Sequence, residues 1–127
     1  MTIKAIDVHE HLRSVGPWVD LQRTCDGFKF GDPDAEVRGI AVGWQSLQSS
    51  LEVAHDRGLN LFITHEPTFY SHMDDDLTAR DSRPGRRKAA FLERTGMIVC
   101  RCHDVWDRFP ARGIRDAWAE FLELGEP

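Results

Sequence analysis

Two short runs in this sequence end in side chains able to do chemistry. LFITHEPTFYSH, residues 61–72, carries an apolar run into Thr64, His65, Glu66 and Pro67, and a second histidine, His72, follows seven positions after the first. MIVCRCHDVWD, residues 97–107, carries another into His103 and Asp107. A neutral imidazole with carboxylates suits Zn, Mn or Fe, and carboxylates can bridge two ions. Two ions held in that way make a bridging water a nucleophile at neutral pH, which is metal-assisted hydrolysis. The plainer alternative is that His65 and Glu66 cap turns or pair with nearby arginines, and spacing alone leaves both open.

Such a site requires that the two runs reach one place, so the elements that carry them decide the matter. The spacing of Ile3, Ile6, Leu12 and Val15 predicts a helix over 3–15, ended by Gly16-Pro17. Residues 26–35 are turn-rich, EVRGIAVGW at 36–44 reads as a strand, and 46–57 is a helix with Leu47, Leu51 and Ala54 on one face and Gly58 as its stop. LNLFIT, 59–64, is apolar nearly throughout, as a strand covered on both faces should be. Residues 71–85 read as a polar loop with a solvated acidic turn at Met73–Asp76, 86–96 as a helix and 97–102 as a third strand. Residues 111–124 form a last amphipathic helix with Ile114, Trp118, Phe121 and Leu122 expected inward. Helices alternating with strands imply crossover connections, and hence an α/β fold with a mainly parallel or mixed sheet and helices on its faces. Ligands of such sheets bind beyond the carboxyl ends of the strands. His65 and Glu66 follow one strand, His103 and Asp107 another, and Trp44 and Gln45 the remaining one.

The totals narrow the classes. A chain of 127 residues suits one domain, and at that size roughly two-thirds of the unfolded surface is buried. The net charge of -5 and pI of about 5.6 argue against a nucleic-acid partner. The one basic cluster, Arg83 to Lys88, reads as a solvated helix start. No apolar run reaches the roughly 20 residues of a membrane span, and the first residues lack the apolar core of a signal peptide. The three cysteines form no CxxC and read as reduced thiols of a cytoplasmic protein. One motif is a decoy. IDVHEHL, 6–12, looks like the Asp-x-His-x-His of metal-dependent amidohydrolases, but that motif closes a strand in a barrel of about 250 residues, and the helical spacing places His9 and His11 on a helix instead. His55 falls on the polar side of its own helix.

The ordered combination is similar to one family. DGFKFGDPDAEVRGIAVGWQSLQSSLEVAHDRGLNLFITHEPTFY, with HDVWD at 103–107 and GIRDAWAEFLEL after it, resembles the Nif-three-like dinuclear metal centre proteins across about residues 26–124. The resemblance implies that His65 is the first of the family's paired histidines, that Asp107 is its metal-binding aspartate, and that Glu66 stands in the place of the second histidine as a third ligand. It implies supporting positions for His103 and His72 beside the ligands. By the same resemblance residues 1–127 are a single α/β domain like the N-terminal half of that fold, because the family's remaining His-x-x-x-Glu ligands lie in a second half. GWQS at 43–46 departs from the aspartate that commonly follows the first strand. The implied cofactor is divalent Zn, Mn or Fe, two ions if the site is complete. The implied partners are further copies of the chain, as a hexamer, and a small-molecule substrate, with no nucleic acid or membrane. The expected function is a metal-binding, hydrolase-like protein of the kind labelled GTP cyclohydrolase I type 2. No glycine-rich phosphate loop supports GTP itself. The alternative is a non-catalytic metal-binding or regulatory assembly module.

Overall fold

A computed structural model describes residues 2–125. The elements in chain order are α1 (Ala5–Ser14), β1 (Gly27–Phe30), β2 (Ile40–Gly43), α2 (Gln48–Asp56), β3 (Leu61–Thr64), α3 (Leu77–Asp81), α4 (Arg83–Thr95), β4 (Ile98–Arg101), α5 (Asp104–Asp107) and α6 (Ile114–Phe121). They form a mixed four-stranded sheet in the order β1-β4-β3-β2. β2, β3 and β4 are parallel neighbours, while β1 runs antiparallel to β4 at one edge.

The apolar character of β3 and β4 follows from their central places. Leu61, Phe62 and all of Ile98–Arg101 are buried because helices cover both faces. On one face Leu51, Phe62, Phe69, Phe91, Leu92, Met97 and Val99 form the larger core, closed by α2 and α4. On the other, Leu61, Ile98 and Cys100 pack with Ala5 and the half-buried Val8 of α1. Leu92 is wholly buried, and cutting such a leucine to alanine costs about 2–5 kcal/mol.

Three expectations are corrected. Residues 26–35 are not only turns, because Gly27–Phe30 is a strand. Four residues with a bulge between Phe28 and Phe30 are too few for an alternating pattern to be read. The stretch 71–85 is not loop throughout. Asp76 accepts from the backbone N–H of Thr78 at 2.8 Å and starts α3, and Ser82 accepts from Gly85 at 3.2 Å and starts α4. α4 ends where Gly96 takes φ +65°, the left-handed conformation that glycine adopts without strain. The third correction concerns α6. Trp118, Phe121 and Leu122 are exposed, not inward, so its apolar stripe faces solvent in this chain. The edge strand β2 is similar: Val42 is 77% exposed and Trp44 56%. As expected, His9 and His11 lie on a helix, α1. Among the described residues no helix is long and apolar enough to cross a membrane.

Candidate metal centre

The parallel register brings the two chemical runs together. Gly43, Thr64 and Arg101 are paired partners at the carboxyl ends of β2, β3 and β4. The chain leaving β3 therefore starts beside the chain leaving β4. Cys102 N–H donates to Thr64 O at 2.9 Å, and the amides of His65 and Glu66 both donate to Trp44 O, at 3.2 and 2.8 Å. Trp44 then stacks on the His65 ring with centroids 4.1 Å apart and planes at 15°. The indole covers the imidazole and limits its rotation.

After β4 the chain turns into α5, and Asp26 sets that turn. One Asp26 oxygen accepts from the amides of His103 and Asp104 at 2.5 and 3.0 Å, and the other from Val105 at 3.0 Å. Three amides of a new helix thus find one carboxylate, which suits the positive end of its dipole. The short helix carries His103 at its start and Asp107 one turn on.

The result is a compact group. His65, His103 and Asp107 each offer a ligand atom, and these atoms all lie within 4.8 Å of one another. His65 Nε2 is 2.9 Å from Asp107 Oδ1, and His103 Nε2 is 3.4 Å from Asp107 Oδ2. The two rings are 4.4 Å apart. His103 Nδ1 faces Asp104 Oδ1 at 2.9 Å. A carboxylate only accepts, so Nδ1 carries a hydrogen toward Asp104, and Nε2 is the nitrogen left for a cation to take. Asp104 in turn accepts from the Thr24 hydroxyl at 2.7 Å and the Cys25 amide at 3.3 Å. Burial by itself would raise the Asp104 carboxyl, but the hydrogen bonds from Thr24 and His103 outweigh it and hold the pKa below the ordinary value.

The expected residues are placed as follows. His65 and Asp107 lie in the group, and so does His103. Glu66 lies on the other side of His65, its Oε1 3.6 Å from Nδ1, which is buried and has no hydrogen-bond partner. His72 is exposed, with its ring 5.5 Å from that of His103. An open cleft of about 770 Å³ begins at Glu66 and His72 and runs past Thr68 and Ser82 to Lys88. Lys88 donates to Thr68 O at 2.7 Å, and burial lowers its pKa although Asp74 opposes this.

Sequence reasoning gave no role to Asp26, Asp104, Thr24 or Arg101. Asp104 had a signal, being next to His103 in HDVWD. Asp26 had none, since its partners lie 77 to 79 positions away. A second group able to hold an ion, Cys25, His103 and Asp104, shares His103 with the first. Burial pushes the Cys25 thiol up to about 11, against thiolate formation.

Fold and site define an α/β protein whose strand ends gather imidazoles and carboxylates in metal-ligand arrangement. The chain belongs to the Duf34/NIF3 (NGG1p interacting factor 3) family, whose model matches residues 3–127. Three solved structures share its fold. The Bacillus cereus protein related to NIF3 is 17% identical with a TM-score of 0.79, the match covering 96% of this chain and 33% of that one. Staphylococcus aureus protein SA1388 is 20% identical with a TM-score of 0.77, covering 96% and 34%. Reduced HcgD from Methanocaldococcus jannaschii is 20% identical with a TM-score of 0.71, covering 97% and 48%. This chain thus spans a third to a half of their lengths. No curated protein matches it significantly.

Proposed function

We propose that the chain binds divalent metal through His65, His103 and Asp107 and contributes that centre to a hydrolytic reaction on a small molecule. The observation that carries the reading is the donor set: two imidazole nitrogens and a carboxylate within 4.8 Å. Three protein donors leave coordination open for water or substrate, as catalytic rather than structural sites do. The two oxygens of Asp107 face different imidazoles, the geometry from which a carboxylate bridges two ions.

The side chains fit a cation in detail. Asp104 already accepts from Nδ1 of His103, the usual arrangement behind a metal-bound imidazole. His65 Nε2 must give up its hydrogen to ligate, and the unpartnered Nδ1, facing Glu66, is free to take it. Glu66 would then hold His65 as Asp104 holds His103. On this reading Glu66, expected as a ligand, acts as an orienting group on the Nδ1 side of His65. Bound metal would supply Lewis acidity and a water acidic enough to attack near pH 7. Trp44 keeps bulk water off one face of His65, and the cleft from Glu66 to Lys88 offers the substrate its place.

The second reading, a non-catalytic metal-binding or assembly module, is favoured by one observation. Val42, Trp44, Trp118 and Phe121 are exposed on β2 and α6 or just past them, which suits contact with further protein. A homo-oligomer in the cytoplasm, with the remaining ligands supplied from outside residues 1–127, goes with both readings. Elemental analysis of protein purified without chelator tests the shared premise. About one or more Zn, Mn or Fe per chain, lost in His65→Ala, is expected; no metal even after Zn or Mn is added would refute it. Metal-dependent hydrolysis of phosphate and amide model substrates by the loaded protein separates the two readings.

A further inference from the structure

Arg101 closes β4 and is 1% exposed. Its Nε donates to His65 O at 2.7 Å and its Nη1 donates to His72 O, while Nη2 is buried with no partner. Among the described residues no carboxylate pairs with it, and their ion pairs lie elsewhere. This is an expensive arrangement. A buried guanidinium without a counter-charge recovers only part of its desolvation from two hydrogen bonds to carbonyls. Stability is therefore a poor account of Arg101.

What the guanidinium does join is the site. One of its bonded carbonyls belongs to His65 of the centre and the other to His72 beside it, and they lie seven residues apart at the two ends of the segment that leaves β3. The rigid planar fork fixes the distance between them. The same segment is tied from within, because the Asp74 carboxylate accepts from the amides of Thr68 and Phe69 at 2.8 and 2.5 Å. Arg101 fastens that braced loop to the strand next to His103. The loop histidine is thus carried on a held backbone and not on a floppy one, and its ring stands 5.5 Å from that of His103.

We infer that Arg101 is a positioning residue of the metal centre: its buried guanidinium ties the backbones of His65 and His72 to the end of β4 and so sets where both imidazoles stand. This rests on the metal-binding reading above. It predicts effects of very different size in two measurements. Replacing Arg101 with methionine changes the melting temperature of metal-free protein little, because removing an unpaired buried charge offsets the loss of donors to the His65 and His72 carbonyls. The same change weakens Co²⁺ binding about 10- to 100-fold, the usual effect of losing a group that orients ligands.

The experiment titrates Co²⁺ into wild type, Arg101→Met and Arg101→Lys, following the visible absorption of bound cobalt, with thermal unfolding of each metal-free protein alongside. Weakened binding and an altered cobalt spectrum in Arg101→Met, with partial recovery in Arg101→Lys, which restores one donor nitrogen, support the role. Unchanged affinity and spectrum in a folded Arg101→Met overturn it, as does a lowered melting temperature with wild-type affinity. If Arg101→Met does not fold, Arg101→Lys decides, since its donors share one nitrogen and lack the fixed separation with which the fork spans the two carbonyls: wild-type affinity and spectrum there overturn the role. Wild type that binds no Co²⁺ overturns the metal-binding reading itself, an outcome distinct from all of these.

Discussion

Two histidines of this chain sit beside possible ligands, and their surroundings give them opposite characters. His9 on α1 packs against Phe28, ring centroids 5.2 Å apart, with Nδ1 3.6 Å from Cys100 Sγ. His103 sits between Asp104 and Asp107 at 2.9 and 3.4 Å. Both imidazoles are half-buried, but of the two only His103 makes close ion-pair contacts with carboxylates. At His9 burial comes first and lowers the pKa; Arg13 lowers it further, while Asp26 and Glu10 oppose. Its sulfur neighbour is pushed up to about 12 by burial and stays a thiol. A neutral ring on a protonated sulfur packs as core. A ring held by one carboxylate and aimed at another is arranged to bind a cation. Histidine alone says little about function; the carboxylates on either side of it decide.

The strongest way to break this contrast is to remove ligands from each place. His65→Ala or Asp107→Ala should weaken Zn or Mn binding by more than about 100-fold, since each loses a direct bond where orienting groups cost 10- to 100-fold. His9→Ala should leave metal affinity within twofold of wild type, roughly the scatter for a residue outside the site. Titration with a competing chelator would compare them, and a His9 effect as large as that of His65 would dissolve the contrast.

A smaller effect sharpens it. Asp104→Asn keeps the shape but lets His103 turn its lone pair toward the amide, so affinity should fall about 10- to 100-fold. Stability should respond as well. The carboxyl pKa is depressed in the folded state, so its contribution is present above the ordinary value of 3.8 and is lost as pH falls through the lower folded value. Urea unfolding of wild type and Asp104→Asn between pH 2 and 5 should converge at the acid end. His72→Ala comes next: if its ring is no ligand, affinity should fall less than about tenfold, below the range for a direct orienting contact.

The smallest effect belongs to His9. Its pKa is depressed in the folded state, so the unfolded chain binds the proton more readily once pH drops below the ordinary 6.5. Stability should therefore fall as pH decreases from 6.5 toward the lower folded value, and His9→Leu should flatten that slope. A variant that keeps the full slope would assign it to other groups.

Much of this was legible in the chain. LNLFIT and MIVCRC, with strand lengths and mostly apolar character, mark buried parallel strands, and the carboxyl-end rule sends His65 and His103 to one sheet edge if their strands are neighbours, as β3 and β4 are. What escaped depended on contacts across long sequence separations or on parts of the surface. Asp26 caps a helix more than 75 residues away, and no local pattern announces that. The strand Gly27–Phe30 exists because β4 offers an edge to pair with, in a segment whose own composition favours turns. The stripe Trp118, Phe121, Leu122 was read as inward because amphipathic spacing signals burial against something, and spacing does not say that the something is absent from residues 2–125.

The central claim is that His65, His103 and Asp107 hold the ion. X-ray absorption of the zinc-loaded protein at the zinc edge tests it most directly. The account predicts two imidazoles and oxygen at about 2.0–2.1 Å, with no sulfur. A sulfur shell near about 2.3 Å would move the ion to Cys25, His103 and Asp104, and a spectrum with no imidazole scattering would contradict the account outright.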